Sequence, residues 1–205
     1  MEEITYQEVN DAQPQIIDHI IGQENVVARV KVALESCWND GVRFPHCLLT
    51  GPAGLGKTQI SQIIAAEMGV EIREQLAQNL ACPAALRGFL LEAQDKDVLL
   101  IDEIHELSRT VQTTLYRALE NGKIFLEGAK NKHSHTIKLS NFTLLGATTD
   151  PHLLLTPLRD RFKMILPFDY YSQDELEIIL RHRCKQLHWE VEEEVYYEVA
   201  QRGRN

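Results

Sequence analysis

Gly51-Pro52-Ala53-Gly54-Leu55-Gly56-Lys57-Thr58 is the stretch on which the reading of the chain turns. It fits the phosphate-binding loop G-x-x-x-x-G-K-[ST] at every fixed position. Ahead of it, the apolar Cys47-Leu48-Leu49 reads as a buried strand. Behind it, Ile60, Ile63, Ile64 and Met68 share one helical face, and Gly69 stands as a C-cap. Strand, glycine loop, helix is the setting the motif requires. The residue types suit a polyphosphate. Glycines let backbone N–H groups of the Gly51, Pro52, Gly54, Leu55, Gly56 loop close on it, and the following helix turns its positive dipole end toward the anion. Lys57 can reach the β- and γ-phosphates, and the Thr58 hydroxyl can ligate a hydrated Mg²⁺. A chance glycine-rich turn would leave the flanking strand and helix unexplained.

The second informative stretch is Val98-Leu99-Leu100-Ile101-Asp102-Glu103. Four apolar residues in a row predict a strand buried on both faces, as in a parallel sheet. Ligands of open α/β sheets bind at the carboxyl ends of the strands, where the two carboxylates stand. Asp102 can hold the metal, and Glu103 can polarise an attacking water as general base. The bland alternative is a surface Asp-Glu pair opening a turn.

Around these two stretches the pattern is that of one α/β domain. Residues 1–14 form a polar lead-in, followed by Ile16, Ile17, Ile20 and Ile21, an apolar group that either packs or covers a base. A helix is predicted over 24–38, a short strand over 70–73, and a weaker helical pattern over 74–94 around Pro83. Ser108 reads as an N-cap, with Val111, Leu115, Ala118 and Leu119 as the helix face and Gly122 as its end. Lys123–Glu127 and Thr136–Leu139 flank a polar loop carrying Lys130, Lys132, His133 and His135; a solvated tip is the simpler reading of the histidines, a metal site the other. Phe142–Thr149 is a further buried strand ending in two hydroxyls, which could meet a γ-phosphate or merely cap a turn. Arg159 and Arg161 are either an ion-pair cluster or an arginine finger reaching a neighbouring subunit, and spacing leaves the two even. Lys163–Phe168 suggests a last strand at an edge, because of Pro167. Ser172 and Glu175 form a capping box that opens another helix, and a final helix is expected over 190–200.

Composition narrows the class. At 205 residues with 44% hydrophobic content the chain holds one full core. The formal charge of −9 disfavours a broad nucleic-acid face on these residues. With no signal segment at Met1-Glu2-Glu3-Ile4 and no apolar run of membrane length, a cytoplasmic protein without membrane contact is expected. Cys37, Cys47, Cys82 and Cys184 are scattered and read as free thiols.

Taken in order, Ile20-Ile21-Gly22-Gln23, Gly51–Thr58, Ala66-Glu67-Met68-Gly69-Val70, Asp102-Glu103-Ile104-His105, Phe142–Thr149 and Pro157–Phe162 with Tyr171 resemble the AAA+ ATPases of the RuvB family. The resemblance spans about residues 13–175. It implies a five-stranded parallel sheet between helices, a hairpin insertion and a small helical lid. The implied limits are 1–21 for the lead-in, 22–170 for the large ATPase domain and 171–205 for part of the lid. It also implies ATP hydrolysis with Mg²⁺ in a homo-oligomeric ring, usually a hexamer, on Holliday junctions. By resemblance Thr149 falls at sensor 1, Arg161 at the arginine finger, Tyr171 and Gln59 beside the nucleotide, and Ile21 near the adenine pocket. The hairpin 123–139 matches the insertion that binds RuvA, and DNA contact is expected through regions outside this chain. Gln13 and Gln59 depart from the family's arginine and threonine, Glu120-Asn121-Gly122 from its acidic-aromatic step. The chain is expected to end before the sensor 2 arginine, with no winged-helix domain. Thr148-Thr149-Asp150-Pro151 also resembles clamp-loader ATPases, so the alternatives are a clamp-loader-type ATP switch or other RuvB-like remodelling ATPase not processive on DNA, and a non-enzymatic nucleotide-binding or assembly module.

Overall fold

The computed structural model describes residues 13–126 and 135–203. Its centre is a five-stranded sheet, ordered β2-β3-β6-β1-β7 and parallel throughout. The strands are β1 (Cys47–Thr50), β2 (Ile72–Leu76), β3 (Val98–Asp102), β6 (Thr143–Thr148) and β7 (Met164–Pro167). A two-stranded antiparallel hairpin, β4 (Lys123–Leu126) with β5 (His135–Lys138), stands apart from it. The helices are α1 (Glu24–Asp40), α2 (Lys57–Met68), α3 (Pro83–Leu91), α4 (Arg109–Asn121), α5 (Thr156–Arg159), α6 (Gln173–Gln186) and α7 (Glu193–Arg202).

The unbroken apolar runs are explained by what they touch. Successive strand residues point to opposite faces, and here both faces are covered. Leu48, Leu99, Ile101 and Leu144 join the core beneath α3 and α4. Cys47, Leu49, Val98, Leu100, Leu145, Ala147 and Leu166 join the core beneath α1 and α2. Full burial of each such leucine is worth about 1.5–3 kcal/mol. Gly146 has a different task in β6: an added Cβ would lie 2.9 Å from Ile104 Cδ1 and 3.2 Å from Phe162 Cζ. Its missing side chain lets the turn after β3 settle onto the sheet, which fixes the neighbourhood of Glu103.

The helix ends follow the sequence signals. Ser108 accepts a hydrogen bond from the Val111 N–H at the start of α4, and Gly122 closes that helix in the left-handed conformation. Ser172 and Glu175 form both halves of the capping box of α6. Pro167 lies on β7, an edge strand, where its missing N–H breaks no ladder.

Other boundaries differ from the sequence reading. The strand expected over 70–73 runs from Ile72 to Leu76, and the helical pattern expected over 74–94 narrows to Pro83–Leu91. As the opposite edge strand, β2 is only partly buried, so polar Arg73, Glu74 and Gln75 sit in it without an apolar alternation. His135 belongs to β5 and pairs with Leu126 rather than lying in a loop. Lys130, Lys132 and His133 lie outside the described residues. The last helix starts at Glu193, not Glu190. Cys37, Cys47 and Cys184 are buried free thiols and Cys82 an exposed one. No helix among the described residues is long and apolar enough to cross a membrane.

Candidate functional site

The glycine loop leaves β1 beside β6, where the Gly51 N–H donates to the Thr148 carbonyl at 3.2 Å. Gly51 has φ +142, and a Cβ there would stand 2.5 Å from the Phe168 carbonyl oxygen. Only glycine fits that combination of backbone angle and close approach. Gly56, also at positive φ, is the N-cap of α2 and supplies no side chain to cap it. The N–H groups of Lys57, Thr58 and Gln59 therefore have no hydrogen-bond partner among the described residues. Open amides at the positive end of a helix form an anion site.

Lys57 lies at the base of the loop, 6% exposed, and its ammonium donates to the carbonyls of Gly51 (2.8 Å) and Pro52 (2.7 Å). An ammonium has three protons, so one remains for a ligand. Burial lowers the Lys57 pKa, and the carboxylates of Glu103 and Asp102 oppose that shift. The glycine loop and the acidic pair are thus electrostatic neighbours, although β6 separates their strands. The register explains it. Thr50 pairs with Thr148, and Ile101 with Gly146, so β1, β3 and β6 end together.

At the end of β3, Asp102 Oδ1 accepts the Glu103 N–H at 3.0 Å. Glu103 itself is left-handed, φ 47 and ψ 45, a conformation uncommon outside glycine, asparagine and aspartate. Its Oε2 accepts from the Thr149 N–H (3.3 Å) and the Thr149 hydroxyl (3.2 Å). The same oxygen lies 3.2 Å from His105 Nδ1. Buried Thr148 places its Oγ1 3.0 Å from that nitrogen and accepts the Asp150 N–H at 3.0 Å.

A cavity of about 680 Å³ opens beside the loop. Gly54, Leu55 and Gly56 form one wall, Ile20 and Ile21 another, and Tyr171 with Leu176 and Ile179 of α6 a third. The Tyr171 hydroxyl donates to the Leu55 carbonyl at 3.2 Å, which ties the segment before α6 to the loop, and Gln59 Nε2 donates to the Pro14 carbonyl at 2.9 Å, which ties the segment before Ile16 to the start of α2. An apolar slot continuous with an amide-lined anion site matches a base joined to a polyphosphate. The Thr58 hydroxyl has no hydrogen-bond partner among the described residues, and a hydroxyl such as that of Thr58 and a carboxylate such as that of Asp102 are the oxygen ligands that a hydrated Mg²⁺ accepts. No group of three or more His, Cys, Asp or Glu side chains that could hold a metal occurs among the described residues.

Ile21, Gln59, Tyr171, Lys57, Asp102, Glu103 and Thr149 thus gather around the loop. Arg161 does not line the cavity. Its Nη2 pairs with Glu120 of α4, while its buried Nε has no partner among the described residues. Of the two readings of this arginine, the ion pair is formed within the chain. Two residues escaped sequence reasoning. His105 was visible only as the fourth member of Asp-Glu-Ile-His. Gln112, buried in α4, donates to the Leu107 carbonyl (2.9 Å) and accepts the Leu155 N–H (2.8 Å), which anchors the segment following Thr149. Its only signal was a polar residue on an otherwise apolar helix face.

Comparison with known proteins agrees with this geometry. The family described as the Holliday junction DNA helicase RuvB P-loop domain matches residues 12–168. The RuvB subunit of the Holliday junction branch migration complex from Salinibacter ruber is 39% identical over 194 residues, 94% of this chain and 56% of that protein. A single-residue variant of Thermotoga maritima RuvB superposes with a TM-score of 0.85 at 37% identity, covering 93% of this chain and 60% of that one. The Thermotoga maritima RuvB Holliday junction branch migration motor gives 0.82 at 36% identity, with the same two coverages. The chain spans little more than half the length of these relatives. With three quarters of its residues matched by the P-loop domain and its sheet, loop and acidic pair arranged as above, the chain belongs to the RuvB family of AAA+ ATPases.

Proposed function

We propose that the chain is an ATP-hydrolysing motor domain that works with Mg²⁺ in Holliday junction branch migration. The observation that carries this reading is that β1, β3 and β6 end together, which brings Asp102 and Glu103 within electrostatic reach of the buried Lys57 ammonium beneath the glycine loop. The loop amides and Lys57 hold the triphosphate, and Ile21 and Tyr171 enclose the base. Thr58 and Asp102 hold the metal, which when bound neutralises phosphate charge and orients the β- and γ-phosphates. Glu103 takes the proton of the attacking water. Thr149, bonded to Glu103 by two donors, links the end of β6 to that base.

Arg161 acts on the nucleotide of the adjacent subunit in a homo-oligomeric ring, as a hexamer. The hairpin β4–β5 receives a RuvA-like partner, and Phe125 and Ile137, both exposed, give it apolar contact area. DNA is engaged through regions outside this chain, in keeping with the net charge of −9.

The test is a pair of variants read by ATP binding and phosphate release. Lys57→Ala should lose most of its affinity. Glu103→Gln should bind ATP normally and hydrolyse it about 10²–10⁴ times more slowly. Unchanged affinity in Lys57→Ala, or unchanged turnover in Glu103→Gln, overturns the reading. Strand exchange on a four-way DNA junction in the presence of a RuvA-type protein tests the branch-migration part separately.

A further inference from the structure

We infer that His105 is a positioning residue for Glu103, holding the carboxylate by Oε2 so that Oε1 faces the reaction. The inference rests on the general-base reading of Glu103. Three potential donors converge on Oε2: the Thr149 N–H, the Thr149 hydroxyl and His105 Nδ1, at 3.3, 3.2 and 3.2 Å. Oε1 has no hydrogen-bond partner among the described residues. A glutamate side chain has three torsions and samples many placements when unrestrained. Fixing one oxygen from two directions, by a residue of β6 and by a residue of the turn after β3, fixes the carboxylate plane.

The tautomer of the ring follows from its surroundings. Nδ1 lies between two oxygens, Glu103 Oε2 and Thr148 Oγ1, the second at 3.0 Å. The Thr148 oxygen is itself held by the Asp150 N–H. A lone pair on Nδ1 would face a carboxylate, so Nδ1 carries the hydrogen and donates it. His105 is mostly buried, its side chain 14% exposed, and its ring has little room to turn away. The residue lies on the short 3-10 turn Ile104–Glu106, which Ile104 anchors against Gly146. The donor is therefore placed by packing, as orientation of a base requires.

The experiment uses the 205-residue chain and two readouts. The first needs no nucleotide. The ¹⁵N ring shifts of His105 should report hydrogen on Nδ1, and Glu103→Ala should shift the population toward hydrogen on Nε2. The second is single-turnover ATP hydrolysis at the protein concentration giving the highest rate. His105→Leu should lower the rate roughly tenfold or more, through loss of one charge-assisted hydrogen bond, with ATP affinity kept within about twofold. His105→Asn places an amide N–H near the position of Nδ1–H and should recover the rate to within about threefold of wild type. Equal rates for the Leu and Asn variants, a faster His105→Leu, or hydrogen on Nε2 in the wild type would each overturn the assignment. If Glu103→Gln hydrolyses at the wild-type rate, the general-base reading itself falls. If Glu103→Gln is inactive and His105→Leu is not impaired, only the role of His105 falls.

Discussion

His46 should make the fold acid-sensitive well above the range in which carboxylates titrate. Its ring lies just ahead of β1, where Nδ1 accepts the Leu144 N–H of β6 at 2.8 Å. Arg43 Nη2 stands 3.3 Å from Nε2, and the ring tilts against Phe142 at 6.0 Å between centroids. Burial first, then the charges of Arg43 and Lys163, push the His46 pKa down from 6.5 to about 3. In the unfolded chain the ring takes up a proton as pH falls through about 6.5; in the folded chain it does so only near pH 3. Between those values the unfolded state binds more protons, so this group's contribution is intact above about pH 6.5 and is lost as pH drops. At about 1.36 kcal/mol per pH unit the loss is roughly 2 kcal/mol at pH 5 and about 4 kcal/mol by pH 3. Urea unfolding at pH 7 and pH 5 measures it, with His46→Asn as the control. The asparagine carbonyl can accept the Leu144 N–H but does not titrate. The other histidines and the carboxylates are common to both proteins and cancel. The variant should lose about 2 kcal/mol less than the wild type between the two pH values, at equal m-values. Parallel losses in the two proteins would mean that His46 is readily protonated in the folded state, and the reasoning would fail.

Two further outcomes are expected. Gly51→Ala introduces a Cβ 2.5 Å from a backbone carbonyl at φ +142, so neither strand end nor loop can absorb it cheaply. It should cost about 1–3 kcal/mol of stability and at least tenfold in ATP affinity, read by thermal unfolding and nucleotide titration; an alanine tolerated with full affinity would show that the loop geometry is not needed. Arg161→Ala removes a half-exposed ion pair and should change stability by less than about 1 kcal/mol. If Arg161 is the trans finger, the same variant should slow turnover about 10³-fold without weakening ATP binding; normal turnover would leave the Glu120 pair as its whole role.

What could be read in advance was set by how local each signal is. The glycine loop is nearly self-contained, because its angles, its helix and its lysine come from consecutive residues. The central strands were equally plain: burial on both faces forces an unbroken apolar run, which β1, β3 and β6 carry. At the sheet edge that force is absent, and β2 could place Arg73, Glu74 and Gln75 in a strand that resembles a loop or helix start. The grouping around Glu103 lies beyond local reading for a further reason. It depends on a sheet order in which β6 inserts between β3 and β1, carrying Thr148 and Thr149 to the acidic pair. His105 joins them only because Gly146, some forty residues along the chain, lets Ile104 rest on the sheet. A glycine in a strand is usually a weakness; here its missing side chain seats the turn that presents Glu103 and its neighbouring donor. That coupling makes the packing of Gly146 against Ile104 as much a condition of the site's geometry as the acidic residues themselves.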